Sequence, residues 1–439
     1  MQIFQKEQLN NNRIKAEMLD FLIILFTFAS AILKFVLYFF NLPSTSGQIA
    51  IVYVIVAVIS AFLCFKYFSR MIPKGYFTIF VLFLLIGFSF SITWVRFGST
   101  DPKFISECKA YFAMAICTLL ITYLISRRRK RDINLNVIFV AIIMLSLISF
   151  LSLFQGDSIT SGGYIRDSSG LIYQNVSYFS AHAFGLTLFH ITESRKYKSL
   201  SWIYKLSCFV LLIIQTSSCL LSGGRGGLVL LFVLFISCII FNFGKKAYKI
   251  IVPLVIFIFI VRFTVPWLIN LLGINIKGFT RIMTFLAGDL KNDGRFSLYS
   301  NSLSLFHENP ITGNGIGSIF NYLNSYSHNM ILDILAETGV VGLFVFVLVF
   351  VLCVRKNYAL FHQGSLFRFL TYILICGITF NMFSGYVWTN QLVWLPVAVF
   401  LTINPNEYVY DRIETTYSND DIQDDVQDDI QSLTDDNNG

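Results

Sequence analysis

Charge is what this chain has least of. Charged residues fill 13% of its 439 positions, against about a quarter in ordinary soluble proteins, and mean hydropathy is +0.67. A water-soluble globular domain is therefore excluded. The apolar runs also lack the alternation of lipid-facing and lumen-facing residues that marks a transmembrane β-barrel. The eight cysteines have no close metal-type spacing. Cys64, Cys117, Cys208, Cys238, Cys353 and Cys376 sit within or beside apolar runs and read as small core residues, not as disulfides or ligands. No Gly-Lys-Ser or Gly-Lys-Thr follows a glycine-rich loop, so a Walker A site is absent. No acidic pair has cation-site spacing, and Asp289, Asp293 and Glu308 read as solvated carboxylates. Neither a metal nor a cofactor is expected.

What the chain does have is hydrophobic residues, 55% of the total with 46 phenylalanines. About twelve apolar runs approach the roughly 20 helical residues needed to cross a hydrocarbon core. They lie near 19–40, 49–65, 76–95, 106–125, 135–154, 173–191, 201–221, 226–243, 250–270, 330–354, 367–387 and 388–403. The expected fold class is an all-α polytopic membrane protein. Residues before the first run are polar, with Lys6, Arg13 and Lys15, and the run continues for a full span. It reads as a retained helix and not as a cleaved signal.

The formal net charge of +8 is distributed in a telling way. Lys and Arg gather in alternate loops: Lys66, Arg70 and Lys74; Arg127 to Arg131; Arg195, Lys196 and Lys198; Lys245, Lys246 and Lys249; Arg355 and Lys356. By the positive-inside rule these loops face the cytoplasm. This reading gives cytoplasmic residues 1–18, a membrane body over 19–403 and a cytoplasmic tail over 404–439. Membrane lipids, and not nucleic acid, are the expected partners of the positive charge. The tail carries the doublets Asp420-Asp421, Asp424-Asp425, Asp428-Asp429 and Asp435-Asp436, whose self-repulsion predicts disorder.

The longest outward excursion spans residues 271–329. So long a loop should contain elements of its own. Phe296, Tyr299, Leu303 and Phe306 fall at helical spacing, and Pro310 with Gly313, Gly315 and Gly317 stops that helix. A second short helix is expected near 280–290. Arg166, Arg225, Arg281 and Arg295 map to outward segments and Arg262 near the outer end of a span, where a positive charge is uncommon. Snorkelling accounts for any one of them. Arg225 stands apart because it lies within Ser222-Gly223-Gly224-Arg225-Gly226-Gly227. Glycine lets a backbone approach a ligand closely, and a helix start offers N–H groups suited to phosphate. Glycines also serve helix packing in membranes.

Three segments, in order, resemble the superfamily of bacterial O-antigen ligases and lipid-linked polysaccharide polymerases. They are the glycine and arginine turn at 222–227; Gly294-Arg295-Phe296 through Pro310-Ile311-Thr312-Gly313-Asn314-Gly315-Ile316-Gly317; and the stretch from His328-Asn329 through Glu337 to Gly339 and Gly342. A weaker fourth runs from Arg166 to Gly170, with Gln174-Asn175 downstream. The resemblance implies transfer of an undecaprenyl-pyrophosphate-linked oligosaccharide to an acceptor glycan hydroxyl at the periplasmic face of the bacterial inner membrane. It assigns the pyrophosphate to arginine, with Arg225 and Arg295 first and Arg166 and Arg281 as helpers, in place of a metal. His328, with its near-neutral ordinary pKa, would be the base. Asn329 and Glu337 would support it, Glu337 through a partner because about 13 Å of helix separates the two. Asn329 also reads simply as a helix cap. His307 is a rival base with a poorer match, while His182 and His190 read as packing or cavity-lining residues.

Polymerase and ligase share this chemistry. The chain's wording leans to a polymerase, although the arginine-x10-glycine pattern of some polymerases is missing. A ligase acting on lipid A core sugar is the alternative, and a peptidoglycan-type polymerase a smaller one. From another class comes a flippase or secondary transporter, which usually shows two similar halves and a midplane site made by broken helices. The halves here look unlike. A chain-length regulator is a candidate partner for the acidic tail.

Overall fold

The computed structural model describes residues 16–29, 31–33, 46–66, 73–98, 101–128, 131–154, 173–197, 201–253 and 295–405. Helices account for most of them, and no strand occurs among the described residues. In chain order they are α1 (Ala16–Thr27), α2 (Ser46–Lys66), α3 (Lys74–Phe97), α4 (Pro102–Ser126), α5 (Leu135–Phe154), α6 (Tyr173–Tyr197), α7 (Trp202–Ser222), α8 (Arg225–Phe243), α9 (Arg295–Glu308), α10 (Ser318–Leu323), α11 (Met330–Leu360), α12 (Ser365–Phe383) and α13 (Gln391–Thr402). Seven helices among the described residues are long and apolar enough to cross a membrane. This is an all-α polytopic membrane protein. Eleven of the twelve expected runs coincide with described helices. Most of the run at 250–270 lies outside the described residues, so the total of twelve is not established. Also outside them are the short helix near 280–290, Arg166, Arg262, Arg281, Asp289, Asp293, residues 1–15 and the acidic tail from 406 onward.

Two helices depart from the simple spanning pattern, each for a packing reason. α6 is rich in polar residues, yet Ser177, Ser180, His182, Thr187, His190 and Glu193 are buried. It packs against α5, α7, α8 and α12, so its polar groups meet protein and not hydrocarbon. His182 lies edge-on to Phe28 and His190 bonds Tyr204, in keeping with their expected packing role. α13 is buried along its length from Leu392 to Thr402. Its 12 residues give about 18 Å of helix, short of a roughly 30 Å hydrocarbon core. The preceding Val387–Thr389 3-10 turn buries Val387 and Trp388.

The basic loops collect at one end. There Arg128 forms a buried ion pair with Asp20, whose other oxygen accepts from the Asn134 N–H at 2.9 Å. Arg368 holds Glu193 with two parallel bonds of 2.7 Å, and Lys196 reaches the same carboxylate at 2.9 Å. These pairs tie α1 to the α4–α5 loop and α6 to α12. The arginine turn, α9 and His328 lie at the opposite end.

The apolar run at 330–354 forms the expected spanning helix, with a break inside it that the run does not signal. At Gly339 the backbone of α11 takes φ 64°, ψ −165°, and two ladder bonds are split. Instead of pairing with each other, Val340 N–H donates to Pro310 O and Val341 N–H to Ile311 O. The Ala336 and Glu337 carbonyls accept from Asn314 N–H at 3.2 Å and Gly315 N–H at 2.8 Å. The turn 310–315 is therefore a wedge that re-satisfies the groups freed by the break, which apolar surroundings would otherwise make costly. Its glycines are required: a Cβ on Gly313 would lie 2.3 Å from the Glu337 carbonyl carbon, and one on Gly339 2.3 Å from Ile311 O.

The apolar face expected for α9 is corrected by the structure. Phe296 and Leu303 are 53% and 42% exposed, whereas Ser302 and Leu305 point inward. α9 packs on α11 and α10 with this face inward.

Candidate functional site

The α7–α8 corner is built by its glycines. Gly223, in the left-handed region at φ 69°, caps α7, and α8 begins at Arg225. Ser177 of α6 donates to the Gly224 carbonyl at 2.7 Å. A Cβ on Gly226 would fall 1.9 Å from the Tyr178 hydroxyl, and one on Gly227 1.9 Å from Ser177 Oγ. These two glycines therefore serve close packing on α6, which fixes the half-buried Arg225 at the helix start. The packing reading of these glycines is the one their contacts show.

Arg295 opens α9. It is close enough to act electrostatically on the hydroxyls of both Tyr178 and Tyr326, one on α6 beside the Arg225 corner and the other two residues before His328. Burial pushes the Tyr326 pKa up, Glu107 and Asp333 add to this, and Arg295 opposes them. Tyr326 thus sits among two carboxylates and a guanidinium. Its hydroxyl donates to the Ser384 carbonyl at 2.5 Å, and the Ser384 hydroxyl lies 3.5 Å from Gln174 Oε1.

His328 has φ 62°, one of two non-glycine residues with positive φ among the described residues. Such a backbone costs on the order of 1–3 kcal/mol and persists only where its surroundings impose it. Both neighbours are bound. Ser327 N–H donates to Asp333 Oδ1 at 2.8 Å, and the Ser327 hydroxyl bonds Asn329 O at 2.9 Å. Asn329 caps α11, accepting from Ile331 N–H at 3.0 Å and Leu332 N–H at 3.3 Å. Asn329 is therefore a helix cap that frames the histidine. The half-buried imidazole packs edge-on to the Tyr326 ring, centroids 4.5 Å apart.

Glu337 is fully buried and accepts from four donor contacts. Tyr386 Oη approaches its two oxygens at 2.8 and 3.0 Å, Trp388 Nε1 lies at 2.7 Å and Gly317 N–H at 2.9 Å. Tyr386 stacks on Tyr326 at 6.2 Å, so a continuous path runs from Glu337 through Tyr386 and Tyr326 to His328. The Tyr386 hydroxyl is the donor to the Glu337 carboxylate.

Among the residues expected from sequence, Arg225, Arg295, His328, Asn329 and Glu337 lie at this end of the bundle. His307 does not join them. It is exposed on the last turn of α9, about 18 Å of helix from Arg295. No group of His, Cys, Asp and Glu able to hold a metal occurs among the described residues. Sequence reading missed Tyr178, Tyr326, Ser384 and Tyr386, which knit the cluster together. Aromatics are too common here to stand out, and only the position of Tyr326, two residues before His328, offered a signal. Tyr326 is the common neighbour, in ring contact with His328 and within electrostatic range of Arg295, and guanidinium and imidazole are groups suited to binding an anion and accepting a proton.

Residues 209–347 match the family model described as O-antigen ligase. That span contains the arginine corner, α9, the wedge turn, His328 and the break in α11, and the match supports a relation to the O-antigen ligase and polymerase superfamily. A comparison with curated proteins found no match.

Proposed function

We propose, with the relation to this superfamily over 209–347 as the premise, that the protein is a membrane glycosyltransferase acting on an undecaprenyl-pyrophosphate-linked glycan at the periplasmic face. It polymerises surface-polysaccharide repeat units. The acceptor hydroxyl oxygen attacks the anomeric carbon, the bond from that carbon to the pyrophosphate oxygen breaks, and the electron pair leaves with the lipid pyrophosphate. His328 takes the hydroxyl proton and passes it to water. Arg225 and Arg295 bind the pyrophosphate as its charge grows, an effect strengthened in a water-poor site. Arg166 and Arg281 are assigned to the same anion.

The observation that carries this reading is that Tyr326, in ring contact with His328, is also within electrostatic range of Arg295. A ligase transferring the finished glycan to lipid A core is the second reading, favoured by the description of the matching family. A transporter is disfavoured. The one broken helix among the described residues has its freed ladder groups bonded by the wedge turn and so does not present them to a solute.

The test is gel profiling of surface polysaccharide in a deletion strain complemented with wild type, His328→Ala, Arg225→Ala or Arg295→Ala. A single repeat unit on the acceptor identifies a polymerase. Bare acceptor with polymer accumulating on the lipid carrier identifies a ligase. Unchanged ladders from variants present at normal abundance in the membrane would remove the enzymatic reading.

A further inference from the structure

Glu107 lies on α4, about 7 Å of helix below Pro102. It is half-buried. The Thr389 hydroxyl donates to its Oε2 at 2.9 Å. The carboxylate acts electrostatically on both Tyr326 and Tyr386, the two rings that connect Glu337 to His328. The segment before His328 is held over the same helix, since Lys103 Nζ donates to Asn324 O at 2.5 Å. Glu107 therefore sits near the loop that leads to His328, on a helix that packs on the 318–323 helix and the 387–389 turn. A partly buried carboxylate in a membrane helix is costly to keep and is a functional-site hypothesis by default.

The geometry points to Glu107 as the residue that binds the acceptor glycan, its carboxylate accepting a hydrogen bond from a sugar hydroxyl adjacent to the one that reacts. This assignment rests on the transferase reading above and adds to it the acceptor half of the site. The division is electrostatic. Guanidinium groups hold the anionic donor on one side, and a carboxylate repels that pyrophosphate while attracting neutral, hydroxyl-rich sugar on the other. The reacting proton still goes to His328, so Glu107 has no part in bond making and its loss is felt in acceptor affinity.

The test uses the full chain in lipid nanodiscs. The donor is the lipid-linked glycan extracted from the source cells, and the acceptor is the same glycan released from its lipid by mild acid and supplied at increasing concentration. Glu107→Gln is expected to raise the acceptor KM by about tenfold or more, the scale of one lost hydrogen bond to a charged group. Its kcat at saturating acceptor and its binding of undecaprenyl pyrophosphate should match wild type. Thr389→Val removes the hydrogen bond that would make Glu107 a mere strut and should leave the acceptor KM near wild type. An unchanged acceptor KM in Glu107→Gln, a fall in kcat at saturating acceptor, or an equal defect in Thr389→Val overturns the assignment. Should Glu107→Gln fail to insert, Glu107→Asp carries the same measurement with the charge kept and the reach shortened. The transferase reading fails separately, if Arg225→Ala and Arg295→Ala bind undecaprenyl pyrophosphate as wild type does.

Discussion

His328 combines an imidazole with a left-handed backbone, φ 62°, and the two properties can be separated. Asparagine accepts the left-handed region more readily than most residues and has no basic nitrogen, so His328→Asn keeps the loop while removing the proposed proton acceptor. Transfer should fall at least a hundredfold, the low end of what a general base contributes, with membrane abundance and melting temperature in detergent unchanged. Tyr326→Phe keeps the ring against His328 and loses the 2.5 Å bond to Ser384 O. A severalfold loss of turnover is expected, and a much larger one for Tyr326→Ala. Glu337→Ala strips the acceptor from Tyr386, Trp388 and Gly317. Each buried donor left unsatisfied costs about 1–3 kcal/mol, so the variant should be depleted from the membrane and melt early. The sequence made His328 and Glu337 visible through their place at and within a long apolar run. It hid how they communicate, because Tyr386 and Trp388 follow Glu337 by 49 and 51 positions and no local pattern links them.

At the level of elements, the wedge turn and the break in α11 make one joint. Adding a methyl group at Gly313 or Gly339 places it 2.3 Å from backbone atoms of the other half and imposes a left-handed conformation on alanine. Gly339→Ala should lower the detergent melting temperature and expose the 310–317 turn to protease, whereas Gly98→Ala, whose Cβ meets nothing within 4 Å, carries only the backbone cost. Helix positions were legible because continuous apolar runs of spanning length permit little else. The break was not, since glycine is frequent in membrane helices and the residues that fill the gap lie some 25 positions upstream. The inward face of α9 was misread for a related reason. In a membrane protein the more apolar face need not be the buried one, and Ser302 packs inward while Phe296 does not.

For the whole molecule, the ends of the bundle do different work. One is fastened by ion pairs, Arg128 with Asp20 and Arg368 with Glu193, and the other carries the arginine and histidine cluster. Glu193→Ala leaves the Arg368 guanidinium, 16% exposed, without its carboxylate. Breaking a buried pair in this way costs about 3–5 kcal/mol, and the expected readout is a lower melting temperature with turnover per folded molecule preserved. The alternation of basic and neutral loops along the chain is enough to tell these two ends apart. The pairing of Asp20 with Arg128, 108 residues apart, lies beyond what any local pattern encodes.

The joint between the wedge turn and α11 also limits how such a chain can be recombined. Pro310 to Gly315 complete a helix that begins at Met330, and both halves fall inside the stretch shared with the O-antigen ligase family, 209–347. A chimera whose crossover lies between 317 and 330 would inherit its wedge from one parent and its gap from the other. Crossovers before Arg295 or beyond Gly342 exchange the joint intact, so these are the seams at which the segment can be moved without parting the wedge from its gap.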